Sequence, residues 1–205
     1  TSPSQFRAPP SAVLNLHSFQ YTMDFNEVKA LGNTVVRSAN PDSEKSQIAR
    51  FWPAGGANPM GVARTVATGR GLDLWQHARL FASVTMAVMD STVSVFETKY
   101  YYNFWRPVTA IRAADTDGNW ATAKDPTWLS YQVTPPYPDY VCGLPTNVGA
   151  GTEVLRRFFE QDWLPYTYTA GGITRSFWRL SQAEDDAVNA RVFGGMHFRT
   201  GCVQG

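Results

Sequence analysis

One segment limits the fold more than any other. From Leu74 to about residue 98, Leu74, Ala78, Phe81, Val84, Val88, Val95 and Phe96 recur near i, i+3, i+4 spacing behind Asp73, a helix cap. A helix that long must bury its apolar stripe against other elements. The rest of the chain supplies mostly helices. Met23, Phe25, Val28, Leu31 and Val35 predict a short helix within 22–37. Asn40 and Pro41 predict a helix start, with Ile48, Phe51 and Trp52 on one side of the helix that follows. Residues 53–59 read as a loop, 60–68 as a helix ending at Gly69 or Gly71, and 150–160 as a further helix. Ser181 and Glu184 form a capping box that opens a helix over 182–193. Residues 1–20, with Pro3, Pro9 and Pro10, predict an extended arm, leaving 21–205 as one helical domain. Residues 100–146, rich in Pro, Gly, Trp and Tyr, predict a long irregular loop of the kind that carries function. The expected class is all-α, a helical bundle.

Composition removes several functions. Among 205 residues, 43% are apolar and 17% charged, which excludes a disordered chain. The net charge of +1 gives no reason to bind nucleic acid. The longest apolar stretch, Leu80 to Met89, is shorter than the roughly 18 residues of a membrane span. No membrane span is therefore expected, and no signal peptide is visible. The chain opens on Thr1 rather than Met, which reads as a processed product or a fragment. Two cysteines allow at most one bridge. The basic residues are 14 Arg and 4 Lys, a bias that suits planar recognition of oxyanions and that compositional drift also produces.

Three patterns bear on chemistry. Asp115, Asp117, Gly118 and Asn119 look like part of a calcium loop, but Ala113 and Lys124 stand where carboxylates are needed, so a polar turn is expected. Cys142 lacks the Arg six positions on that a cysteine phosphatase loop requires, since position 148 is Val; a buried or bridged cysteine is the plainer reading. The third pattern joins three segments. Lys99 and Arg106 stand seven positions apart, with Pro107 next; Cys142, Gly143 and Leu144 lie in the Pro-rich loop; Arg191 precedes His197 by six positions across a Gly pair. Singly, a lone His is more often a packed residue and a lone Arg a solvated one.

Together these segments resemble the site signature of the vanadium-dependent haloperoxidase and type 2 phosphatidic acid phosphatase superfamily: Lys-x6-Arg-Pro, a Ser-Gly-His loop, then Arg-x5-His. The string from Tyr102 through Asn-Phe-Trp-Arg-Pro to Arg112, with Thr174 to Phe177 and Arg191 to Arg199, is similar to the bacterial and fungal haloperoxidase-like branch, and the likeness runs from about Phe25 to Arg199. It implies a helical bundle of the haloperoxidase and acid phosphatase type, shortened at both ends. It also implies an oxyanion pocket for vanadate or phosphate. There Lys99, Arg106, Arg191 and the Gly143 amide neutralise the equatorial oxygens, and His197 is the axial vanadate ligand or the phosphatase nucleophile.

The departures lie in the second motif. Cys142 occupies the Ser position and Leu144 that of the acid–base His. Leucine transfers no proton, and general acid–base catalysis is worth about 10² to 10⁴-fold, so impaired turnover is expected. His17 and His77 match no family catalytic position, and His77 is expected on a helix flank. Because the second and third motifs converge on one anion in this family, Cys142 and Cys202 are expected near one another, either bridged or as two free buried thiols. A bridge across that separation would add on the order of 4 kcal/mol and imply an oxidising compartment. Family members carry more helices, so exposed apolar faces and a homo-oligomer or complex are expected. Three functions follow: a haloperoxidase-like enzyme with impaired turnover, a non-catalytic structural or interaction subunit, and a small-molecule binder using Trp105, Trp120 and Trp128.

Overall fold

A computed structural model describes residues 2–205; Thr1 lies outside them. The chain forms a helical bundle of nine α-helices among the described residues: α1 (Phe19–Leu31), α2 (Thr34–Ala39), α3 (Glu44–Phe51), α4 (Pro59–Ala67), α5 (Leu74–Tyr102), α6 (Pro107–Arg112), α7 (Gly143–Phe159), α8 (Leu180–Phe193) and α9 (Arg199–Val203). A two-stranded antiparallel hairpin, β1 (Tyr166–Ala170) and β2 (Ile173–Phe177), pairs Tyr166 with Phe177 and Ala170 with Ile173 between α7 and α8. The hairpin was not expected; its turn is Gly171–Gly172, both at positive φ.

Helix α5 forms where its periodicity places it. Asp73 Oδ1 accepts from the Gln76 amide at 2.8 Å, and Gln76 Oε1 accepts from the Asp73 amide at 2.9 Å, a complete capping box. The helix ends at Asn103, which is left-handed at φ 47 and sends its N–H back to the Lys99 carbonyl. Arg106 then caps α6, with Pro107 at its first position. Helix α7 packs along α5 and α8 through Val148, Thr152 and Leu155. It approaches α4 so closely that a Cβ on Gly151 would stand 2.4 Å from the Pro59 Cβ.

Several expectations are corrected. The segment 22–37 is two helices, broken at Gly32, with the Asn33 side chain capping α2. Asn40 and Pro41 do not open α3; Ser43 does, its hydroxyl accepting from the Ser46 amide. Helix α7 begins at Gly143, well before residue 150, and α6 lies inside the expected loop. Ser181 does not cap α8. Its hydroxyl donates to Asp162 at 2.6 Å, while Glu184 pairs with Arg156 at 2.9 Å, so both capping side chains serve a tertiary ion network.

The long segment between α6 and α7 has one 3-10 turn, Ala114–Thr116, and is pinned along its length. Trp128 Nε1 donates to the Lys29 carbonyl at 2.9 Å, the Tyr131 amide to Gly32, the Gln132 amide to Gly194, and the Asp139 amide to Phe104. Around Asp117 a polar turn forms, as expected, with Asn119 N–H and Thr122 Oγ1 donating to its carboxylate. The segment before α1 lies on α5: Arg7 pairs with Glu97, and the Ala8 amide donates to Thr98. The core joins two aromatic groups, Tyr21, Phe25, Phe104 and Phe198, and Phe51, Trp52 and Phe177.

One face of α5 stays uncovered. Met86, Met89, Val93 and Tyr100, three, four and seven positions apart along one face, are each more than half exposed. By length and mean hydropathy (1.3 over its most apolar stretch) α5 also meets the measure of a membrane span, a property that its longest unbroken apolar run does not reveal. Its opposite face packs on α7 and α4 as a bundle helix does.

Candidate functional site

Five separate segments deliver the candidate residues to one buried place. Lys99 comes from the last turn of α5, Arg106 from the α6 cap, Asp139 and Cys142 from the pinned loop, Arg191 from the last turn of α8, and His197 and Cys202 from the segment around α9. The turn before His197 depends on Gly195, at φ +77. A Cβ there would stand 2.3 Å from the Gly32 carbonyl oxygen. The close meeting of Gly32 and Gly195 thus fixes where His197 enters the site.

The cations are almost entirely buried: Lys99 is 1% exposed and Arg106 5%. Lys99 Nζ donates to the carbonyls of Pro138 at 2.9 Å and Asp139 at 2.8 Å. Burial, reinforced by the neighbouring Arg106 charge and opposed by Asp139, pushes its pKa down to about 8. Arg106 Nε donates to the Tyr137 carbonyl at 2.8 Å and Nη1 to the Met196 carbonyl at 2.9 Å. Both cations also face the Tyr137 ring, at 5.3 and 4.9 Å from its centroid.

His197 is 2% exposed, with its Nε2 2.7 Å from Arg106 Nη1. A guanidinium only donates, so Nε2 carries the lone pair and Nδ1 the hydrogen. Nδ1 lies 2.8 Å from Asp139 Oδ1, out of line of the ring N–H, and Oδ1 is 3.8 Å from Arg106 Nη1. Among the described residues, Arg106 Nη2, Arg191 Nε, His197 Nδ1 and both Asp139 carboxylate oxygens are buried without a hydrogen-bond partner. Gly143 opens α7, whose free first-turn N–H groups favour negative charge at that end.

Cys142 and Cys202 are both buried free thiols, the second of the two expected alternatives. Their sulfurs and a His197 ring nitrogen lie within 4.8 Å of one another. Burial pushes both thiols up. The neighbouring Cys202, His197 and Arg191 outweigh this for Cys142 and bring it well below the ordinary thiol value, while Cys202 stays well above it. The oxidising compartment tied to a bridge therefore gains no structural support.

The structure thus brings together Lys99, Arg106, Cys142, Gly143, Arg191 and His197, with half-buried Leu144 one residue into α7. The sequence pattern does not single out Asp139. Its one signal is an acid directly after the Pro135–Pro138 run, three positions before Cys142. The other candidates stand elsewhere. His17 is exposed, and His77 flanks α5 with Nδ1 3.0 Å from the Asp73 carbonyl. Trp128 is buried in the core while Trp120 is 97% exposed, which removes the expected shared aromatic binding surface. A cleft of about 790 Å³ beside α5, lined by Phe6, Asp90, Val93, Glu97, Thr146 and Ala150, includes none of the clustered residues.

A bundle whose helix ends converge on buried cations and a histidine defines a class, and comparison with known proteins gives its family. Residues 79–205 match the family model described as the VCPO second helical-bundle domain, and the chain belongs to that family. It is 32% identical over 93 residues to the vanadium chloroperoxidase of Curvularia inaequalis, covering 40% of this chain and 15% of that protein. Over its whole length it superposes on a bacterial vanadium-dependent iodoperoxidase with a TM-score of 0.81 and 29% identity, covering 52% of that chain. A holo-type bacterial vanadium-dependent chloroperoxidase shares the fold at a TM-score of 0.79 and 18% identity, with 99% of this chain and 48% of that one covered. The chain spans about half the length of these solved relatives.

Proposed function

We propose that this chain is a haloperoxidase-like domain that holds a tetrahedral oxyanion, vanadate or phosphate, with impaired turnover. The observation that carries this reading is the pair of buried guanidinium N–H groups, Arg106 Nη2 and Arg191 Nε, left without partners beside His197. Buried donors of this kind fit an anion, since each one unpaired costs about 1–3 kcal/mol. Lys99 and the N-terminus of α7 add positive potential on the same side. Arg106, Arg191, the Gly143 amide and His197 would hold vanadate. When bound it supplies oxidation of halide by peroxide. The chain's own weakness is proton transfer, because Leu144 has no group to move a proton and Cys142 offers a thiol in place of a hydroxyl.

The test is vanadate and phosphate binding by equilibrium dialysis, beside halide oxidation, for the natural chain and for Leu144→His. The expected result is one equivalent of bound oxyanion in both and a rise in halide oxidation of about 10²-fold in the variant. Absence of binding, or full turnover by the natural chain, refutes the reading.

A second reading, a non-catalytic subunit of a homo-oligomer or larger complex, is favoured by the stripe of Met86, Met89, Val93 and Tyr100 on α5, a face that calls for a covering surface. A monodisperse monomer by light scattering counts against it.

A further inference from the structure

The oxyanion reading accounts for the unpaired guanidinium groups and leaves the Asp139 carboxylate unexplained. Asp139 is 1% exposed, and among the described residues neither of its oxygens has a hydrogen-bond partner. A buried carboxylate in that state is expensive. Arg106 Nη1, 3.8 Å from Oδ1, and Lys99 offset part of its charge but leave its hydrogen-bonding capacity unused. Beside it stand three groups with the chemistry to hold a cation: Cys142, His197 and Cys202.

We infer that Cys142, His197 and Cys202 form a binding site for a thiophilic divalent metal of the zinc class, with Asp139 as its carboxylate support. Two thiolates and an imidazole nitrogen are a zinc ligand set, and ligands already within 4.8 Å of one another need little movement to reach tetrahedral positions. The histidine is in the right form. Its Nε2 lone pair faces Arg106, while Nδ1 carries the hydrogen on the Asp139 side, 2.8 Å from Oδ1. Metal-bound imidazoles are commonly oriented by such a carboxylate. For Nε2 to bind a metal, Arg106 Nη1, now 2.7 Å away, gives up that contact and shifts aside.

Charge balance allows this despite the surrounding cations. Each thiol proton that the divalent ion displaces passes to solvent and offsets one unit of its charge. Bound as thiolates, Cys142 and Cys202 offset the ion's charge beside Lys99, Arg106 and Arg191. Metal and oxyanion both require His197, so each excludes the other there, while their remaining residues differ.

The experiment titrates the reduced full chain with Zn²⁺ alone and, separately, with Co²⁺. The expected result is one equivalent of tightly bound metal and a cobalt spectrum with thiolate-to-metal charge transfer and tetrahedral d–d bands. The spectrum of the natural chain reports the ligands without any substitution. Cys142→Ser and Cys202→Ser, checked for native circular dichroism, should each weaken zinc binding by more than about 100-fold, and Asp139→Asn by about 10- to 100-fold. No uptake, an octahedral cobalt spectrum, or unchanged affinity in both cysteine variants overturns the inference. The two readings separate cleanly: Cys202→Ser should lose zinc and keep vanadate, and Arg191→Gln should lose vanadate and keep zinc.

Discussion

Lys99 offers the sharpest test of how the site is built. Replacing it by Met keeps the apolar stem and removes the titrating group. Lys99 falls from its ordinary value of 10.5 to about 8, burial being the main cause. Each pKa unit is about 1.4 kcal/mol, so holding the charged form costs the folded state about 3.4 kcal/mol relative to the unfolded chain. The sign follows from proton counts. Above the folded value of about 8 the native lysine has released its proton, while the unfolded one keeps it up to 10.5. The unfolded chain then binds more protons, and stability rises with pH across that window. The natural chain should gain about 2.5 kcal/mol between pH 7 and pH 10 relative to Lys99→Met. The bonds to Pro138 and Asp139 add an offset between the two proteins, and the slope of their difference carries the result. Urea denaturation of both at several pH values measures it, with other titrations common to the two chains. A flat difference, or one that falls as pH rises, would refute the reasoning.

Three further outcomes follow from packing. Gly195→Ala places a Cβ 2.3 Å from the Gly32 carbonyl at positive φ, and should cost at least about 3 kcal/mol; an unchanged Tm would show that the turn before His197 is not fixed as described. Leu155→Ala, at a fully buried position of α7, should cost about 2–5 kcal/mol in urea denaturation. Trp52→Phe keeps the ring against Phe177 but removes the 2.9 Å bond to Asp186, and a loss of about 2 kcal/mol by thermal denaturation is expected.

Much of this fold is legible where its signals are local. Asp73 announces α5 because its cap closes within one turn, onto Gln76, whereas the cap of α4, Asn58 with Pro59, lies inside the expected loop. Ser181 and Glu184 carry the same signal and mislead, since Asp162 and Arg156 are stronger partners brought in from other segments. The Gly171–Gly172 pair between Thr-rich runs does mark a hairpin, but the runs are short and half-polar. The site divides in the same way. Lys99, Arg106, Arg191 and His197 stand out by their order and intervals. Asp139 does not, because the path of its loop is set by distant carbonyl and amide partners such as Phe104, Gly32 and Gly194. The meeting of Cys142 with Cys202 follows from α9 folding back, with Cys142 donating its amide to Gly201.

The carbonyls that Lys99 and Arg106 hold have a wider consequence. Tyr137, Pro138 and Asp139 belong to one segment and Met196 to another, and the two cations bond all four. The groups that would serve an oxyanion thus also tie together the backbone on either side of it. A lineage that abandons the reaction cannot discard them without loosening the bundle. Their presence in a chain is therefore a record of architecture first. A loss of the reaction would instead show at positions that hold no backbone together, such as that of Leu144.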